Sequence, residues 1–121
     1  MPLRRLKKRA QFLKAARGTK VARRGFVLQA ARVGEVSPGV GYTVTKKTGN
    51  APERNRIKRR LRAVVAQCSD KLVAGHDYVL IGRREALNEP FDALVKGLSG
   101  SIGRIHSDNG PKGRAGVEVK P

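Results

Sequence analysis

Hydrophobic positions change their spacing several times along the 121 residues, and each change predicts an element. From residue 57 onward Ile57, Leu61, Val64, Val65 and Cys68 fall at offsets of 0, 4, 7, 8 and 11. That is one stripe of a helix. Asn50 suits its N-cap, Glu53 stands three residues on as in a capping box, and Pro52 falls in the first turn, where a missing N–H costs little. A second stripe, opened by Asn88-Glu89-Pro90, runs through Phe91, Leu94, Val95, Leu98, Ile102 and Ile105. Gly97, Gly100 and Gly103 lower the intrinsic stability of that helix, so tertiary packing must hold it. Residues 3–17 place Leu3, Leu6, Ala10, Leu13 and Ala16 near one face, predicting a short basic helix closed by Gly18.

Elsewhere the period is two, or there is none. Val40, Tyr42 and Val44 alternate with Thr43, Thr45 and Lys47, predicting a half-buried strand over 40–47. Residues 19–33 carry Val21, Phe26, Val27, Leu28, Ala30 and Val33 without helical periodicity, predicting one long strand bent at Gly25. After the turn Gly75-His76-Asp77, the run Tyr78-Val79-Leu80-Ile81-Gly82 suits a central strand buried on both faces. The predicted order is α-β-β-α-β-α, an α+β, single-domain α-β sandwich over residues 1–106. Residues 107–121, rich in Gly, Pro and charge, read as a flexible basic tail.

Charge turns this scaffold into a binding protein. The net charge is +18 and the pI about 11.4, so an acidic polymer is the expected partner. Residues 1–62 hold 19 of the basic residues against only Glu35 and Glu53, while the remainder is nearly neutral. On the central helix Arg54, Lys58 and Arg62 climb one flank at intervals of four, and Arg56, Arg59 and Arg60 point away from the core with Asn55 among them. Like charges so spaced repel by a few tenths of a kcal/mol per pair; RNA phosphate would relieve that repulsion. Five aromatic residues, with no Trp, predict a surface that reads shape and phosphate more than bases.

The remaining chemistry is sparse. The lone Cys68 sits on an apolar stripe and supports neither a disulfide nor a Cys-based zinc site, which fits a reducing cytoplasm. His76 and His106 read as surface histidines without a nucleophile or ligand partner, and no pair of acids resembles a two-metal nuclease site. An autonomous nuclease is therefore disfavoured. No apolar run approaches a membrane span, and the N-terminus lacks the apolar core of a secretory signal. No membrane and no small-molecule substrate are expected.

From Lys46-Lys47-Thr48-Gly49-Asn50-Ala51-Pro52-Glu53-Arg54-Asn55-Arg56 to Ile57-Lys58-Arg59-Arg60-Leu61-Arg62 the chain resembles the protein subunits of bacterial ribonuclease P. The likeness extends to Arg5-Leu6-Lys7-Lys8 with Phe12, to Phe26-Val27-Leu28 and to Asp77-Tyr78-Val79, over about residues 3–105. It implies an α-β sandwich with a left-handed βαβ crossover, like the second domain of ribosomal protein S5. It also implies a non-catalytic subunit that helps an RNA carry out Mg2+-dependent removal of the 5′ leader from precursor tRNA, with the metal bound mainly by RNA. Arg54, Asn55, Arg56, Lys58, Arg59 and Arg62 match the positions that contact the catalytic RNA. Phe12, Val27, Thr43, Thr45, Lys46 and Lys47 match the leader groove, and Gln29 offers a hydrogen bond there. Ala16 and Gln29 stand where relatives often carry aromatics, which predicts weaker or differently ordered leader contacts. The alternative is a ribosomal or other structural RNA-binding protein, which composition alone does not separate.

Overall fold

An apolar run without alternation belongs in the middle of a sheet, and the one at Tyr78–Gly82 lies there. In chain order the elements are β1 (Arg4–Arg5), α1 (Arg9–Ala16), β2 (Thr19–Ala22), β3 (Phe26–Arg32), β4 (Gly39–Thr43), α2 (Ala51–Cys68), β5 (His76–Gly82) and α3 (Phe91–Ser107). The computed structural model describes residues 3–107, so the tail expected at 107–121 lies outside the described residues apart from Ser107, which ends α3. The strand order is β1-β4-β5-β3-β2. β5 pairs in parallel with β4 and antiparallel with β3, and α2 crosses between β4 and β5. The α+β class and a βαβ unit are both present.

Directly paired residues share a sheet face, so the register assigns the two sides. Phe26, Leu28 and Ala30 of β3, Tyr78 and Leu80 of β5 and Val40 of β4 face α2 and α3 and form the main core. The α2 stripe is the predicted one: Ile57, Leu61, Val64, Val65 and Cys68 are all buried. Each such aliphatic side chain contributes on the order of 1.5–3 kcal/mol, which holds a helix whose outer face is crowded with cations. Burial also pushes the Cys68 thiol up, so it packs as an unreactive small hydrophobe. The opposite sheet face carries Val27, Gln29, Gly41, Thr43, Val79 and Ile81, and α1 covers part of it through Phe12 and Ala15.

Several expectations are corrected. Residues 3–17 are not one helix, because Arg4–Arg5 pairs with Gly39–Val40 as an edge strand and α1 begins only at Arg9. The cause is Asp77, 3% exposed, which forms an ion pair with the Arg4 guanidinium while Arg4 Nε donates to the Ser37 carbonyl. In α1 it is Ala15 that is buried, and Leu13 stands in solvent. Gly18 follows α1, but a left-handed φ is not the reason for glycine. Among the described residues only Gly34 and Gly75 have positive φ. A Cβ at Gly18 would strike the Ala30 carbonyl of β3, so glycine lets the end of α1 meet the sheet.

The long strand over 19–33 is a hairpin, β2 against β3, whose turn is closed by Arg23 N–H donating to the Phe26 carbonyl at 2.8 Å. Strand β4 ends at Thr43, and Lys46–Thr48 form a 3-10 turn instead of continuing it. Strand β5 starts two residues early, at His76, with Gly75 turning the chain at φ 84°. The order is thus β-α-β-β-β-α-β-α.

In α3, Leu94, Leu98, Ile102 and Ile105 are core as predicted, Val95 packs against it half-buried, and Phe91 is 40% exposed. One of its glycines has a close neighbour: a Cβ at Gly100 would stand 3.0 Å from the Arg23 guanidinium, whose Nε donates to Ser101 Oγ at 2.7 Å, whereas a Cβ at Gly97 would meet Arg23 in ordinary contact. Gly103 has open space where a Cβ would stand. Gly103→Ala is therefore expected to raise stability by about 0.5–1 kcal/mol, read as a higher urea midpoint; a lower midpoint would reject this account.

His106 is not the surface histidine expected. Its Nε2 lies 2.6 Å from Tyr78 Oη, His76 meets its ring edge-on at 4.7 Å, and Tyr78 Oη accepts from Val73 N–H. Burial, and secondarily the charge of His76, hold the His106 pKa below its ordinary value. The folded state therefore binds that proton more weakly than the unfolded chain does. The resulting stability is present above about pH 6.5 and is lost as pH falls through the folded value. Denaturation midpoints are expected to drop between pH 7 and 5, and His106→Gln should flatten that part of the profile; an unchanged slope would sink the assignment.

Candidate RNA interface

The site starts from the cap of α2. Asn50 Oδ1 accepts from Glu53 N–H and Glu53 Oε1 accepts from Asn50 N–H, each at 2.9 Å. Glu53 also takes two hydrogen bonds from Arg84, at 3.2 and 2.9 Å, and the Arg84 contact holds its carboxyl below the usual carboxylate range. The only acid of α2 is therefore committed outside the helix. Among the described residues three ion pairs form, Arg4–Asp77, Arg24–Glu89 and Arg84–Glu53, and none uses an α2 cation. Arg54 donates to the Gly49 carbonyl at 2.7 Å; Asn55, Arg56, Arg59 and Arg62 are exposed.

The cations divide between two flanks. On the first, the Arg62 guanidinium lies 5.6 Å over the Tyr42 ring. Burial pushes the Tyr42 hydroxyl up to about 12, against the opposing influence of Arg62, so the ring stays neutral beneath the cation. Lys58 and Arg62 share a cavity of about 120 Å³ with Arg5, Leu6, Phe12 and Tyr42. On the second flank stand Arg56, Arg59 and Arg60. Arg60 does not point away from the core as expected: it sits roughly 60° from Ile57 around the helix, is half-buried, and its Nη2 donates to the Glu89 carbonyl.

The predicted groove residues gather on the face bearing α1. Val27, Ile81 and Thr43 form one row across β3, β5 and β4, all half-buried, and Gln29, Val79 and Gly41 form the next. Phe12 lies against Gly41, leaving no space for a Cβ there, and with the rest of α1 it roofs the second row while the first remains as a floor. Thr45, Lys46 and Lys47 are exposed just beyond β4. Gln29 is only 6% exposed and belongs to the row that α1 roofs, so the leader hydrogen bond expected of it is not available at the surface. Phe12 and the pair Lys58 and Arg62, expected at different ligands, line one cavity, so the groove and the basic helix form a continuous surface.

Arg5, Arg84 and Phe91 join this surface without having been singled out. Arg5 reaches Lys58 and Arg62 only through the pairing of β1 with β4, and Arg84 meets Glu53 across 31 residues. Neither separation leaves a local signal.

The chain matches the family model described as Ribonuclease P over residues 2–106. It is 46% identical over 108 residues to a ribonuclease P protein component of Paramagnetospirillum magneticum, covering 84% of this chain and 81% of the relative. To that of Gluconacetobacter diazotrophicus it is 50% identical over 97 residues, covering 78% and 84%. Among solved structures, the RNase P protein from Thermotoga maritima superposes with a TM-score of 0.72 at 27% identity, covering 84% of this chain and 96% of that one. The Staphylococcus aureus RNase P protein gives 0.66 at 28%, covering 84% and 95%.

Proposed function

Because the chain belongs to the ribonuclease P protein family, we propose that its α2 cations hold the catalytic RNA while the groove beside α1 holds the 5′ leader of precursor tRNA. The chain is a protein subunit of an endoribonuclease whose RNA subunit carries the hydrolysis, and the ribonuclease P RNA is its partner. Arg54, Asn55, Arg56, Lys58, Arg59 and Arg62 are assigned to that RNA. Phe12, Val27, Thr43, Thr45, Lys46 and Lys47 are assigned to the leader, with Gln29 packed beneath α1 beside them. One observation carries the reading: α2 presents its cations with its only acid already consumed by Arg84 and by the cap. Nothing in the family match or the structural neighbours favours the ribosomal-type alternative.

Magnesium belongs to the holoenzyme in this reading. The side chains on α2 are guanidinium, ammonium and amide, and among the described residues no group of three or more His, Cys, Asp or Glu could hold a metal. These residues do not fit a resident Mg2+, and their role is to neutralise phosphate. A cytoplasmic location is proposed for the complex; no helix among the described residues is long and apolar enough to cross a membrane.

The test is cleavage of a precursor tRNA by a bacterial ribonuclease P RNA at low magnesium, with and without the protein. Restored 5′ cleavage is expected. Salt-sensitive RNA binding without stimulation would overturn the proposal.

A further inference from the structure

The second flank of α2 ends against a bare aromatic ring. Phe91, the first residue of α3, borders an open cavity of about 420 Å³ lined also by Arg56, Arg59, Arg60 and Ala63. Arg60 is fixed there by its bond to the Glu89 carbonyl, and its Nε is the one buried side-chain polar atom without a partner among the described residues. We infer that this cavity is a subsite for one unpaired nucleobase of the RNA held by α2, the base stacking on Phe91 and its flanking phosphates lying against Arg56 and Arg59.

The chemistry selects this occupant. An apolar protein segment would cover the ring but bury guanidinium groups without counter-charge, which is costly. An acidic peptide would satisfy the cations and leave the ring unused. A nucleotide offers a π face and phosphates on either side of it, which is the combination the cavity presents. The subsite lies across α2 from Tyr42 and Arg62, so it is separate from the groove beside α1. The inference rests on the reading that α2 binds the ribonuclease P RNA, and its test keeps the two apart.

The chain contains no Trp, so Phe91→Trp would place a single indole at the subsite. Its fluorescence is expected to be quenched on titration with the ribonuclease P RNA, with the same midpoint as binding measured by filter retention. Phe91→Leu keeps apolar bulk and removes the ring. It should weaken binding roughly tenfold, because a base–aromatic stack is removed, while the dependence of log affinity on log salt stays unchanged. Phe91 is largely outside the core, so the melting temperature of Phe91→Leu should match the parent and certify the fold. Full-strength binding by Phe91→Leu, with an indole that does not respond to bound RNA, would overturn the subsite and leave the α2 interface standing. If Arg56→Ala/Arg59→Ala instead loses neither affinity nor salt slope, the α2 reading itself falls.

Discussion

Alanine at both Arg56 and Arg59 is expected to weaken binding of the ribonuclease P RNA roughly a hundredfold at low salt, about tenfold per arginine, since each gives up a charge-assisted hydrogen bond to phosphate. Both side chains are exposed and take part in none of the ion pairs among the described residues, so their removal should leave the fold intact and relieve some repulsion along α2. The slope of log affinity against log salt should fall by about 0.7–0.9 for each phosphate that is no longer neutralised. Cleavage at low magnesium should drop with affinity and recover at high protein concentration, as follows from the proposed role of these residues in holding RNA. Wild-type affinity in the double variant would remove α2 from the interface.

The largest effect on stability is expected at Arg4, which lies 73 residues from the partner that holds it, Asp77. Asp77 is buried in β5, and its carboxylate is matched by the guanidinium of β1, which also holds the Ser37 carbonyl. Arg4→Ala would leave that carboxylate buried without its counter-charge, a change that costs about 3–5 kcal/mol in comparable pairs. Against a total stability of roughly 5–15 kcal/mol, this could unfold much of the population in the absence of RNA. Arg4→Ala/Asp77→Asn should recover at least half of that cost, since the amide carries no charge to strand. Chemical denaturation of the four proteins of this cycle decides it, and a drop of under about 1 kcal/mol for Arg4→Ala would dismiss the clamp.

What sequence could reveal here was local chemistry. The cap at Asn50 and Glu53, the five buried positions of α2 and the interior place of Tyr78–Gly82 all follow from neighbours within a few turns or one strand. The RNA-binding assignments came from resemblance, with the charge pattern indicating only that a polyanion fits. What escaped depends on distant partners. The apolar spacing of Leu3, Leu6 and Ala10 suits a helix, but Arg4, held by Asp77 73 residues away, pairs with β4 and makes Arg4–Arg5 an edge strand. Phe91 continues the α3 stripe by spacing, yet it lies at the end of the helix, where the stripe reaches past the sheet to the cations of α2. Gln29 reads as surface on an alternating count, but α1 roofs that row. Arg60 looks like one more outward cation, and the Glu89 carbonyl ties it down.

The position of β5 also governs when the protein can exist during synthesis. It is the last strand made among the described residues, yet it lies between β4 and β3, and Arg4–Arg5 dock beside β4. A nascent chain that has emerged only as far as α2 already displays most of its cations, while the β1–β4 pair and the β2–β3 hairpin still lack the strand that joins them. Its pairings are mostly non-local, so assembly waits on distant segments and is slower than for a helical bundle. Between the emergence of α2 and that of β5 the ribosome carries an adhesive polycation without shape selectivity. β5 joins the two halves of the sheet and α3 then completes the core and brings in Phe91, so attraction for nucleic acid is expected to precede recognition of a particular RNA.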